Sequence, residues 1–272
     1  MDENNLLLTL YFIRHQESVQ NRQGFGERDT GLTKEGRVAV SDLSQLVKSI
    51  ENLNCILTGT LKRHNQTLER IKEEVGYNGI IIPDDSLNAV LSGQMSEQPP
   101  IETEQTYQLS RFQPRWDGLY YVELPDGREI SFDPVKMGIY PFDPLYSGAY
   151  SDRDLRQAVF PGDQTLASFD EIERQVCNFQ GSVIEKADKA SKPLNIVVVS
   201  SCSSSGFNLE YSAFGTIGCN MSKNFGSEQR HIFPQDHDEV MVLGYTKEDL
   251  RDGRESLRPI EGNVKIKNYL KK

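Results

Sequence analysis

The chain has 272 residues, enough to bury a substantial core as one domain with an insertion or as two small domains. A formal net charge of −10 argues against nucleic acid or an anionic membrane as partner, since both call for a basic surface. The longest apolar run, LLLTLYFI at 6–13, is too short to span a bilayer and lacks a signal-cleavage pattern. Cys55, Cys177, Cys202 and Cys219 have neither metal-ligand nor disulfide-framework spacing, which favours a reducing, cytoplasmic setting.

Residues 6–13 lack alternation, as expected of a strand covered on both faces of a parallel sheet. A glycine-bearing polar loop follows, and Leu43, Leu46, Val47 and Ile50 then mark one face of a helix. CILTG at 55–59 reads as a second strand, followed by a helix from about Leu61 to Val75. GIIIP at 79–83 is a third strand, stopped by proline. Between 94 and 162 the chain changes character. Paired prolines, many aromatics and a hairpin signal centred on Asp126-Gly127 suggest an inserted cap within a single 1–272 domain. These aromatics suit either a lid over an apolar substrate or, more simply, the cap's own small core. Helical period returns at Phe169, Ile172, Val176, Phe179 and Val183, followed by the strand NIVVVS at 195–200. A helix carrying Phe207, Tyr211 and Phe214, the strand EVMVLGY at 239–245 and a polar, basic tail complete the chain. Alternating strands and helices predict an α/β three-layer sandwich around a mainly parallel sheet. Ligands of such sheets sit beyond the carboxyl ends of the strands, where Arg14-His15, Arg63 and Ser200-Ser201 all fall.

Arg14 offers a planar fork of donors for phosphate or carboxylate oxygens. A neutral His15 imidazole can attack phosphorus and form a covalent intermediate. Asn21 can donate to the same oxyanion, and Arg63 stands at a helix start that also favours anions. His64, next to Arg63 on a helix, is expected to point away from the pocket as a surface histidine. His231 and His237, in the loop before the last main strand, are auxiliary candidates. So are Glu17 and Cys202, and SSCSSSG at 200–206 could cradle an anion through its N–H groups or simply cap a helix.

The segment RHQESVQN at 14–21 resembles the R-H-G-E-[ST]-x-x-N signature of the histidine phosphatase superfamily, which includes the phosphoglycerate mutases, with Gln16 in place of glycine. DTGLTKEGR (29–37), TGTLKRHNQT (58–67), PGDQTLASFDEIERQVCNF (161–179) and VVVSS (197–201) resemble later family segments in the expected order. The resemblance implies a phosphoglycerate mutase-like fold, His15 as phosphate-accepting nucleophile, and Arg14, Asn21, Arg63 and position 201 as phosphoryl-binding groups. It also implies two departures. Ser201 stands where the family has a second histidine, and Ala89 where it has its acid. These losses remove charge stabilisation and a proton donor, the latter worth ~10²–10⁴ in rate. Glu97, Glu102 and Glu104 are candidates for a displaced acid. The sequence thus supports a phosphatase-like protein acting on or binding a phosphorylated or otherwise anionic small molecule. Its alternatives are an inactive binding module and the same pocket turned to another reaction. No cofactor, metal, nucleic acid or membrane partner is indicated, and a homodimer is compatible with the chain.

Overall fold

A computed structural model describes residues 5–23, 26–88, 115, 119–123, 127–132, 169–201, 236–254 and 257–271. Its six-stranded sheet runs in the order β3-β2-β6-β1-β7-β8. The strands are β1 (Leu6–Arg14), β2 (Leu53–Thr58), β3 (Ile80–Pro83), β6 (Leu194–Ser200), β7 (Glu239–Thr246) and β8 (Arg258–Lys265). The first four named are mutually parallel; β7 and β8 close one side antiparallel. A separate antiparallel hairpin, β4 (Tyr120–Glu123) with β5 (Glu129–Phe132), forms across Gly127, whose φ of +82° suits the expected Asp-Gly turn.

The central strands alternate between two apolar layers. Leu8, Leu10 and Phe12 of β1, with Ile196 and Val198 of β6, face Phe179, Val183 and Ala187 of helix α4 (Phe169–Lys189). Ile13, Val197 and Val199 face the opposite side, with Val40, Leu43, Leu46 and Val47 of α2 (Lys34–Ser49). Leu68 and Ile71 of α3 (Lys62–Val75) complete that layer. Helices therefore cover both faces of a mostly parallel sheet, the three-layer α/β architecture read from the sequence. Tyr11 and Ile266 show that the last residues, too, belong to the second layer.

Two of the sequence expectations change. The basic tail is not irregular: 258–265 pairs with β7 as an edge strand, and a short helix, Ile266–Tyr269, docks beside α2. Pro259 and Gly262 hide this strand from a propensity reading, yet proline is admissible at a sheet edge. The strand at 55–59 begins earlier, at Leu53, and ends at Thr58. The helix expected around Phe207, most of the 94–162 segment and Cys219 lie outside the described residues. Cys55 is a free, buried thiol whose pKa burial pushes up, as befits a core filler.

Candidate active site

Strand pairing brings the sequence motifs together. Arg14 at the end of β1 registers with Ser200 at the end of β6, and the His15 N–H donates to the Ser200 carbonyl at 2.9 Å. Gly59 N–H donates to the Val199 carbonyl, so the segment leading into α3 leaves the sheet alongside the same tip. The Thr67 hydroxyl in α3 accepts from the Gln16 N–H at 3.3 Å and donates to the Arg63 carbonyl at 2.8 Å. One hydroxyl thus ties the loop after β1 to the helix that carries Arg63.

The loop after β1 is equally well fixed. Gln66 Oε1 accepts from the Leu32 N–H at 2.7 Å, and Asp29 Oδ1 accepts from the Lys62 N–H at 2.6 Å at the start of α3. Thr33 caps α2 by accepting from the Gly36 N–H at 2.9 Å. A Cβ at Gly36 would stand 2.2 Å from the Glu17 carbonyl oxygen, so only glycine lets α2 approach this loop. Asn21 Oδ1 accepts from the Ser18 N–H and hydroxyl, and its Nδ2 makes no hydrogen bond among the described residues.

At the tip, His15 is 1 %, Arg63 3 % and His64 0 % exposed, so all three are withdrawn from bulk water. His15 Nδ1–H donates to the Gln16 carbonyl at 2.7 Å, which leaves Nε2 with its lone pair. Burial, and then the charges of Arg63, His64 and Arg14, push the His15 pKa well below the usual imidazole range. A neutral, oriented imidazole is what nucleophilic attack requires.

Arg63 donates from Nε to Ser201 Oγ at 3.4 Å and from a terminal nitrogen to the Arg28 carbonyl. Among the described residues it makes no ion pair, although burial and the charges of Arg28 and Arg14 lower its pKa to about 10. It remains cationic at neutral pH. Among the described residues this buried guanidinium has a hydroxyl and a carbonyl as hydrogen-bond acceptors and the Asp29 charge nearby, and an anion would complete it. Arg14 lies close enough for its charge to depress both His15 and His237. Arg63 and Arg14 therefore raise the potential around the buried His15 imidazole, and Arg63 and Arg28 that around His64.

His64 overturns the expectation of a surface position. Its Nε2 lies 2.6 Å from Ser201 Oγ, and its ring centroid is 5.3 Å from that of His15. Burial and the Arg63 charge bring its pKa down to about 3. Adjacent helical positions normally diverge, but these two occupy the first turn of α3, whose end faces the strand tips. Both can then border one pocket, and both reach the same hydroxyl. The sequence signal was Gly59: a Cβ there would stand 2.1 Å from His64 Nδ1.

His237, an auxiliary candidate, also joins the site. Its ring centroid is 5.7 Å from that of His15, and its Nδ1–H donates to the His15 carbonyl at 2.5 Å. Gln16, where the family pattern has glycine, donates from Nε2 to the His237 carbonyl at 2.7 Å and so straps this loop down. Burial and Arg14 hold the His237 pKa at about 4. Glu17 sits at the margin, where the Thr33 hydroxyl and Arg22 hold it below the ordinary carboxylate range. It is a committed carboxylate rather than a proton donor. Cys202, His231, Ala89, Glu97, Glu102 and Glu104 lie outside the described residues. Among the described residues, no group of histidines, cysteines or carboxylates could hold a metal ion, and no helix is long and apolar enough to cross a membrane.

Residues 10–133 match the sequence model of the histidine phosphatase superfamily (branch 1). No curated protein matches the chain significantly in sequence. Among solved structures, phosphoglycerate mutase from Bacillus anthracis superposes with a TM-score of 0.59 at 14% identity, covering 97% of this chain and 96% of its own. The mycobacterial glucosyl-3-phosphoglycerate phosphatase bound to inorganic phosphate gives 0.56 at 11%, covering 95% and 98%. A variant phosphoserine phosphatase from Entamoeba histolytica in complex with phosphoserine gives 0.55 at 15%, covering 94% and 97%. At these identities the likeness is one of fold.

Proposed function

For a chain whose residues 10–133 match the sequence model of the histidine phosphatase superfamily (branch 1), we propose hydrolysis of a phosphorylated small molecule through a phosphohistidine at His15. The observation that carries this reading is the orientation of a neutral His15 within reach of the Arg63 charge. Its Nδ1–H is spent on the Gln16 carbonyl, its Nε2 keeps the lone pair, and a buried guanidinium without an ion-pair partner among the described residues adjoins it. Arg14 and Arg63 would grip the phosphoryl oxygens, with the Asn21 amide and the Ser201 hydroxyl as neutral donors. His15 Nε2 attacks phosphorus as the ester oxygen leaves, and water then releases phosphate from the nitrogen. That solved structures of similar fold hold inorganic phosphate or phosphoserine supports a phosphorylated ligand for this chain.

The replacement of a histidine by Ser201 favours one second reading, a protein that binds a phosphorylated ligand without turning it over. Turnover of a panel of phosphomonoesters by the natural chain, beside His15→Ala, decides between them. Release of phosphate that disappears in the variant, with radiolabelled phosphoryl retained on the natural chain alone, is expected. Thermal stabilisation by phosphate or vanadate without turnover would establish the second reading.

A further inference from the structure

His64 is a buried imidazole that an apolar side chain would replace with less desolvation, so its retention asks for a polar task. Its Nδ1 is buried beside the Asn88 side chain, which favours the protonated ring without meeting it in good hydrogen-bond geometry. The site around it has been shaped to hold this ring. Gly59 leaves the space, and Ser201 offers its hydroxyl at 2.6 Å. Resting on the phosphatase reading above, we infer that Ser201 and His64 form a proton relay serving the phosphoryl group held at His15.

The relay follows from the bonding capacity of a hydroxyl, which has one hydrogen to give and two lone pairs. Arg63 Nε–H occupies one lone pair at 3.4 Å. His64 Nε2–H, in the imidazolium form, occupies the other, and the Ser201 hydrogen is left to point at a bound oxyanion. Arrival of a phosphate dianion supplies the negative charge that favours that imidazolium, opposing Arg63, Arg28 and the desolvation of the empty pocket. His15 faces the same ring and is kept neutral by burial and the neighbouring charges of Arg63, His64 and Arg14, while its Nδ1–H bond to the Gln16 carbonyl fixes the tautomer.

In the first half-reaction the His15 Nε2–P bond forms and the P–O ester bond breaks. The leaving oxygen takes the Ser201 hydrogen, and Ser201 takes the proton of His64 Nε2. In the second, water oxygen bonds to phosphorus and the N–P bond breaks. A water proton passes to Ser201, whose hydrogen moves to His64, restoring the imidazolium and releasing phosphate. Ser201 is then the catalytic residue that touches the substrate, with His64 behind it.

The test is the dependence on the leaving group, because nitrophenolate departs without a proton and an alkoxide does not. With glycerol 2-phosphate, His64→Gln and Ser201→Ala should each lower kcat/KM by ~10²–10⁴. With p-nitrophenyl phosphate the same variants should lose less than about tenfold, since kcat/KM reports only the steps through ester cleavage. Ser201→Ala deletes a single oxygen and guards against misfolding of the His64 variant. Equal losses on both esters, or none on either, would overturn the relay and leave the phosphohistidine reading standing. Failure of the natural chain to turn over either ester would overturn both.

Discussion

Residues far apart in the sequence meet around His15 and His64. Gln16 bonds to the residue that buttresses the His15 carbonyl, Ser201 bonds to His64, and Gly59 makes the room that His64 occupies. Gln16 and Ser201, 185 positions apart, thus converge on one site. Gly59→Ala tests the arrangement at the scale of one methyl group. The added carbon would stand 2.1 Å from His64 Nδ1, so the ring must move and give up its 2.6 Å contact with Ser201. Overpacking of this kind costs ~1–3 kcal/mol. Urea denaturation should show that loss, and restoring a small side chain with Gly59→Ala/His64→Ala should recover most of it. An additive double variant would mean that the two residues do not share the space.

At the scale of elements, the site depends on loops held by helix ends. Thr33 both caps α2 and donates from its hydroxyl to Glu17 at 2.8 Å, so the cap and the loop after β1 share one hydroxyl. Thr33→Ala should cost ~1 kcal/mol of stability, the usual worth of such a cap, measured as a lower denaturation midpoint with an unchanged slope. Thr33→Ser should restore most of it. Much of this framework was legible in sequence. Buried parallel strands are near-continuous apolar runs, so β1 and β6 announced themselves, and the first polar residues after them fall at the strand tips, where such sheets hold ligands. Arg14, His15 and Arg63 followed from that placement. His64 did not, because periodicity locates a residue around a helix axis and says little where the axis itself ends at the site. The Gln16–His237 strap was also hidden, since the partners stand 221 residues apart and meet only once the sheet has formed. β8 escaped notice because proline, glycine and charge disguise an edge strand whose pairing is decided by β7.

For the whole molecule, the grouped histidines set the response to acid. His15, His64 and His237 all have folded pKa values below the unfolded value of 6.5, through burial and neighbouring arginines, with His237 at about 4 and His64 at about 3. The unfolded chain therefore binds more protons than the folded one as pH drops through 6.5. Stability is whole above that pH and declines toward the folded values, by up to ~1.4 kcal/mol per pH unit for each histidine. Glu17, Glu35 and Asp236, also depressed in the folded chain, add to the decline only at the lower pH where carboxylates titrate. If all three histidines stay neutral, two units of acidification remove ~8 kcal/mol, comparable with the ~5–15 kcal/mol that holds a domain together. Far-UV circular dichroism should find unfolding by about pH 4–5, coupled to uptake of roughly three protons. His237→Asn should reduce that uptake by about one. Phosphate should move the transition to lower pH, because an anion between the arginines lets the folded state accept protons that the empty pocket refuses. A transition insensitive to phosphate, or one coupled to less than one proton, would mean that these histidines are not buried together around an anion site.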